Sequence, residues 1–142
     1  MNFSSIDKVK EIAYPIGWNG KKTEKDRKFL SDLKKLTTSY NDMAFRSIND
    51  TVCQFLNSDN QILFVHIREP EEIKRAAFAF CAKTLLIKRV GLSNIATNDS
   101  DANVDQYPYD YVIENDTLEN LDTKAQSFVY RLTCAKTKKL KE

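Results

Sequence analysis

Two apolar runs without polar alternation constrain this chain more than any other feature. Residues 62–67 read Ile-Leu-Phe-Val-His-Ile, and residues 84–87 read Thr-Leu-Leu-Ile. A half-exposed strand alternates apolar and polar side chains, whereas a strand covered on both faces of a parallel sheet does not. The first run follows a turn-rich Asn57-Ser58-Asp59-Asn60 and stops before Pro70; the second is closed by Lys88-Arg89. A third strand is expected at 111–114 (Tyr-Val-Ile-Glu).

Helical periodicity fills the intervals. In 23–36, Phe29, Leu30, Leu33 and Leu36 share one face, and Thr23 with Asp26 fits a capping box only loosely. In 43–56, Phe45, Ile48, Val52, Phe55 and Leu56 recur at helical spacing. Residues 70–80 open with Pro70, Glu71 and Glu72, which suit a helix N-terminus. A last helix is expected over about 117–140, with Leu118, Leu121, Ala125, Phe128, Val129 and Leu132 facing inward. Only three glycines and three prolines interrupt the 142 residues. Helices alternating with buried strands define an α/β layered fold, expected here as one domain over 1–142. The stretch 91–108 is the exception. It is rich in Asn, Asp and Ser, and a loop of that length in a small domain calls for a function or for disorder.

Composition excludes several functions. Twenty-two Lys and Arg nearly balance twenty Asp and Glu, so the net charge is +2 and no concentrated basic excess points to nucleic acid. The one basic run, 136–141, suits a helix C-terminus. Cys53, Cys81 and Cys134 are scattered and odd in number, which fits a reducing, cytoplasmic setting and offers neither a zinc knuckle nor a redox pair. No run approaches membrane-spanning length, and the N-terminus does not read as a signal peptide. Asp99, Asp101 and Asp105 lack the glycine and glutamate of an EF-hand. His66, the single histidine, reads as structural, and Trp18 between Gly17 and Gly20 reads as a core plug.

In an open parallel sheet, ligands bind beyond the carboxyl ends of the strands. Arg68-Glu69 follows the first strong strand and Lys88-Arg89 the second. Arg68 and Arg89 are therefore candidates for a phosphate clamp, because guanidinium matches phosphate bidentately. Surface ion pairing is the ordinary alternative for both.

Taken in order, the segments resemble the phage-type deoxynucleoside monophosphate kinases and their adenylate-kinase-like relatives. Residues 4–13 (Ser-Ser-Ile-Asp-Lys-Val-Lys-Glu-Ile-Ala) are similar to the start of the monophosphate-binding region in that family. Residues 17–23 (Gly-Trp-Asn-Gly-Lys-Lys-Thr), Asp26-Arg27 and 30–33 (Leu-Ser-Asp-Leu) resemble the helix that carries an arginine to the acceptor nucleotide. Residues 65–72 (Val-His-Ile-Arg-Glu-Pro-Glu-Glu) look like the family's third strand and following arginine, and 85–89 (Leu-Leu-Ile-Lys-Arg) like the fourth strand leading to the lid. Residues 109–116 (Tyr-Asp-Tyr-Val-Ile-Glu-Asn-Asp) and 117–121 (Thr-Leu-Glu-Asn-Leu) are similar to the closing strand and helix.

The resemblance implies a three-layer parallel-sheet, P-loop NTPase-like domain. It implies a monophosphate-binding region over about 4–58 and a lid-like loop over about 91–108. It also implies nucleotide or phosphate contacts from Arg27, Arg68 and Arg89, with Lys22 and Asp7 as lesser candidates. The departures are as informative. The strand and G-x-x-x-x-G-K-[ST] loop that open such kinases, and hold ATP and Mg²⁺, are absent from these 142 residues. His66 stands near where the family tends to place an acidic residue. The expected chain is thus an N-terminally truncated kinase-like domain, inactive alone, without a cofactor of its own and able to bind a nucleotide monophosphate. Loss of the central strand leaves the strands ending at Ile67 and Ile87 to pair directly, leave a gap or borrow an edge, and an exposed edge favours a homodimer. The alternative is a non-catalytic, self-associating scaffold on the same fold.

Overall fold

A computed structural model describes residues 1–91 and 104–139, and the chain divides into two compact units, Met1–Phe80 and Cys81–Glu142. Both are mixed α/β, and every strand pairing among the described residues is parallel.

The first unit runs β1 (Asn2–Ser4), α1 (Asp7–Ala13), α2 (Glu24–Asn41), α3 (Met43–Leu56), β2 (Phe64–His66) and α4 (Pro70–Phe80). β1 lies parallel to β2 in the register Asn2↔Phe64, Phe3↔Val65, Ser4↔His66. The ladder is extended at both ends: the Phe64 amide donates to the Met1 carbonyl (3.0 Å) and the Ser5 amide to the His66 carbonyl (3.1 Å). His66 Nε2 lies 2.6 Å from Asn2 Oδ1 on the neighbouring strand, a satisfied structural contact. β1 was not legible in the sequence, because three residues are too few to carry a period.

α3 is the centre of this unit, packing against α1, α2, α4 and β1. Its buried residues Ala44, Ser47, Ile48 and Thr51 fall at i, i+3, i+4 and i+7, one helical face. That face is shifted from the expected one. Phe45, Val52 and Phe55 are only half-buried and Leu56 is 73% exposed, because small residues let the neighbouring helices approach closely. The Ser47 and Thr51 hydroxyls donate to the Met43 and Ser47 carbonyls at 2.7 and 2.8 Å, which makes their burial affordable. Val9, Ala13, Ile73, Ala76 and Trp18 complete the core. Trp18 donates its indole N–H to the Lys21 carbonyl (3.1 Å) and meets the Tyr14 ring at 4.8 Å, so it plugs the core as expected.

α2 begins where the sequence places it. Thr23 is an extended N-cap that accepts from the Asp26 amide, while Asp26 accepts from the Thr23 amide. The helix continues five residues beyond the expected end. It stops at Asp42, whose left-handed backbone (φ 57°) turns the chain into α3 and whose carboxylate is gripped by Arg75 (Nη1–Oδ1 2.9 Å). The Arg75 guanidinium also lies 3.7 Å over the Phe45 ring, tying α4 to α3.

The second unit contains β3 (Leu85–Arg89), a 3₁₀ turn (Val104–Gln106), β4 (Tyr111–Asn115) and α5 (Leu118–Lys139). β3 lies parallel to β4, Leu85 opposite Tyr111 through Arg89 opposite Asn115. Asp110 locks the entry to this pair: it accepts from the Thr84 amide and hydroxyl (both 2.9 Å) and from Lys83 (3.0 Å). α5 packs on β4, with Tyr111 meeting Phe128 edge-on at 5.2 Å. Of the expected lid-like loop 91–108, residues 92–103 lie outside the described residues.

Of the arrangements left open for the strands ending at Ile67 and Ile87, direct pairing is not the one found: β2 pairs with β1 and β3 with β4. One expectation needs correction: those strands are not covered on both faces. Phe64 is 41% and Ile87 56% exposed, as is Val112 on β4 (56%), because a two-stranded sheet is too narrow to bury both faces under helices. Among the described residues, no helix is long and apolar enough to cross a membrane.

Candidate functional site: the carboxyl rim of the first parallel pair

Parallel strands end together, so whatever follows β1 and β2 is gathered at one rim. After β1 comes Ser5, 4% exposed, then Asp7 at the start of α1. Asp7 turns the chain: its Oδ2 accepts from the Ser4 amide (3.0 Å) and its Oδ1 from Lys10 (2.9 Å). After β2 come Arg68, which is exposed, and Glu69, whose carbonyl accepts the first hydrogen bond of α4 from Ile73 (2.9 Å). Pro70 then occupies the first helical position, where its missing N–H costs nothing.

α2 closes the rim from the side. Lys34, 8% exposed, donates through Nζ to Glu69 Oε2 (2.6 Å) and Glu72 Oε2 (2.8 Å), with Ser5 Oγ at 3.5 Å. Two carboxyl groups on one ammonium are not equivalent. Burial alone would raise Glu69, but the hydrogen bond and charge of Lys34 overcome it and hold Glu69 below the ordinary glutamate value. Burial raises Glu72, Lys34 offsets only part of that rise, and the neighbouring Glu69 charge adds to it.

The expected site residues are distributed as follows. Asp7 and Arg68 stand at the rim itself. Lys22 precedes the N-cap of α2 and Arg27 is in its first turn, donating its amide to the Thr23 carbonyl (2.9 Å). Both are exposed, and no ion pair holds either among the described residues. Seven residues separate Arg27 from Lys34, two helical turns, so both Cα atoms lie on one stripe of α2, roughly 10 Å apart along the axis. Arg89 ends β3 opposite Asn115 and is exposed; it belongs to the second unit. Arg68 and Arg89 thus sit in different units, and neither unit contains the paired-arginine clamp by itself.

The Lys34–Glu69–Glu72–Ser5 cluster was missed in the sequence. One signal was available: a lysine inside the stripe Leu30, Leu33 and Thr37, with glutamates at the N-cap and third position of the helix after β2. There is no Gly-rich phosphate loop, and no group of three or more His, Cys, Asp or Glu converges as a ligand set among the described residues. Comparison with protein-family models, with curated proteins and with solved structures finds no match for this chain.

Proposed function

We propose that this chain carries the acceptor side of a nucleoside monophosphate kinase-like, P-loop NTPase-type fold, and that its first unit binds the phosphate of a nucleoside or deoxynucleoside monophosphate without transferring phosphate by itself. The observation that carries the reading is the carboxyl rim of the β1–β2 pair, where Arg68 follows β2 one residue on and Lys34, two turns after Arg27 on α2, is tied to Glu69 and Glu72 at the same rim. Carboxyl rims of parallel strands are where α/β folds take their ligands. Arg68 and Arg27 are the phosphate contacts in this reading, with Lys22 beside the entry to α2. Asp7 acts one step back, by shaping the turn after β1. Arg89 is kept for the second unit as a separate phosphate contact.

The test is thermal unfolding of the whole chain with a panel of ribo- and deoxynucleoside monophosphates and with ATP–Mg²⁺. Stabilisation by a monophosphate and not by ATP is expected, and Arg68→Ala and Arg27→Ala should abolish it. No shift with any monophosphate would overturn the binding claim.

A second reading, a self-associating scaffold of cytoplasmic type, draws on the open, apolar strand edges and the exposure of Ile87 and Val112. Concentration-dependent sedimentation with no response to nucleotides would select it.

A further inference from the structure

The turn that closes α1 sends some side chains inward and holds others out. The Trp18 amide donates to the Ala13 carbonyl (2.9 Å) and the Gly17 amide to the Tyr14 carbonyl (3.1 Å), with Gly17 left-handed at φ 104°. These are the two bonds of a Schellman closure, in which the residue after the left-handed one packs back on the helix. Ala13 and Trp18 accordingly enter the core, while Tyr14 and Ile16 stay outside, 56% and 61% exposed. The Tyr14 ring tilts against Trp18 at 4.8 Å. Its hydroxyl lies 3.2 Å from where a side chain at Gly20 would begin, so the loop 18–20 supports the exposed ring. Tyr14 and Ile16 thus form an apolar prominence of fixed shape.

Cations follow at once. Lys21, Lys22, Lys25 and Arg27 stand between Gly20 and the first turn of α2, all exposed, and no ion pair holds any of them among the described residues. Other lysines nearby are paired: Lys8 with Glu11, Lys10 with Asp7 and Lys28 with Asp32. The acids in 21–27 are Glu24 and Asp26, and Asp26 is taken up by the Thr23 amide and hydroxyl. Lys25 and Arg27 lie at the positive end of the α2 dipole, where cations are unfavourable, so helix stability does not account for them.

A small ligand needs a concave site, and a prominence is the opposite. Nucleic acid would meet the cations but offers nothing to Ile16. A broad anionic surface with an apolar layer beneath it meets both. We propose that the segment 14–27 docks the first unit on an anionic lipid bilayer. Tyr14 and Ile16 enter the boundary between headgroups and acyl chains, and Lys21, Lys22, Lys25 and Arg27 meet the negative headgroups. No spanning helix is needed, because an interfacial element gains from apolar burial and from charge together. Tyrosine suits that layer, its ring apolar and its hydroxyl wet. The inference is independent of nucleotide binding, in which Tyr14, Ile16, Lys21 and Lys25 have no part.

The test is co-sedimentation of the whole chain with vesicles of phosphatidylcholine and phosphatidylglycerol at about 3:1, against vesicles of phosphatidylcholine alone. Binding to the anionic vesicles is expected, weakening steeply from about 50 to about 300 mM salt, with little binding to the neutral ones. Each cation near such a surface strengthens partitioning about fivefold, so Lys21→Gln with Lys25→Gln should weaken it about 25-fold. Ile16→Ser should weaken it about tenfold. Both variants change exposed side chains and should melt with the wild type. No binding to anionic vesicles at about 5 mM lipid would overturn the proposal. So would binding that both variants retain, as adhesion through the basic run 136–141 would give. Retention on duplex DNA that falls in the lysine variant and not in Ile16→Ser, with no vesicle binding, would assign the patch to nucleic acid instead.

Discussion

Replacing Lys34 with methionine isolates the buried ion-pair cluster that joins α2 to α4. Methionine keeps most of the apolar stem and deletes the ammonium. Glu69 and Glu72, 33% and 22% exposed, are then left facing each other at 2.6 and 2.8 Å from the vacated Nζ position. Removing one partner of a fully buried ion pair costs about 3–5 kcal/mol. Here the carboxylates retain some water and can take up protons, so about 2–3 kcal/mol is expected at pH 7. Urea unfolding followed through Trp18 should lower the midpoint by about 2 M, for a slope near 1 kcal/mol/M in a unit of this size. Part of the loss should be recovered as pH is lowered, because without Lys34 the burial of the two carboxyls is left to favour their protonated forms. Adding Glu69→Gln and Glu72→Gln to the lysine variant should restore most of the stability, since an uncharged cluster carries no unpaired charge. A single variant within 0.5 kcal/mol of wild type, on the scale of an exposed pair, would refute the view that this cluster fastens α2 to α4.

Two further outcomes are expected. Thr23→Ala removes the N-cap acceptor of α2 and should cost about 1 kcal/mol, with faster amide exchange confined to the first turn that carries Arg27. Asp110 is held down to about 2 by the Thr84 amide, then Lys83, then the Thr84 hydroxyl. A lowered carboxyl stabilises above its ordinary value and loses that contribution as pH falls through the folded value, so β3–β4 amide protection should weaken from about pH 4 towards pH 2. Asp110→Asn should remove that acid dependence.

The elements themselves were legible because their signals are local. Thr23 and Asp26 mark the start of α2 by their chemistry, Pro70 with two glutamates marks α4, and the turn residues around 57–60 bracket β2. What was illegible depends on tertiary packing. Which face of α3 is buried turned on Ala44, Ser47 and Thr51, small residues that let other helices approach, and a search for large apolar side chains points to Leu56 instead. Leu36 is 65% exposed while Lys34, two residues earlier, is buried, since a pairing with Glu69 and Glu72 from another helix overrides hydropathy. Pairing of the strands was illegible for a related reason: β1 is three residues long, and an apolar run specifies burial without naming its neighbour. That Arg68 stands just beyond β2 could be read from its position after an apolar run, whereas the Lys34 cluster could not be read.

The most direct test of the nucleotide reading is an amide NMR titration of the whole chain with deoxynucleoside monophosphates to about 5 mM, enough to fill even a millimolar site. The account predicts saturable shifts concentrated at residues 4–7, 22–27 and 67–69, absent in Arg68→Ala. Shifts that never saturate, or that gather away from the β1–β2 rim, would contradict it.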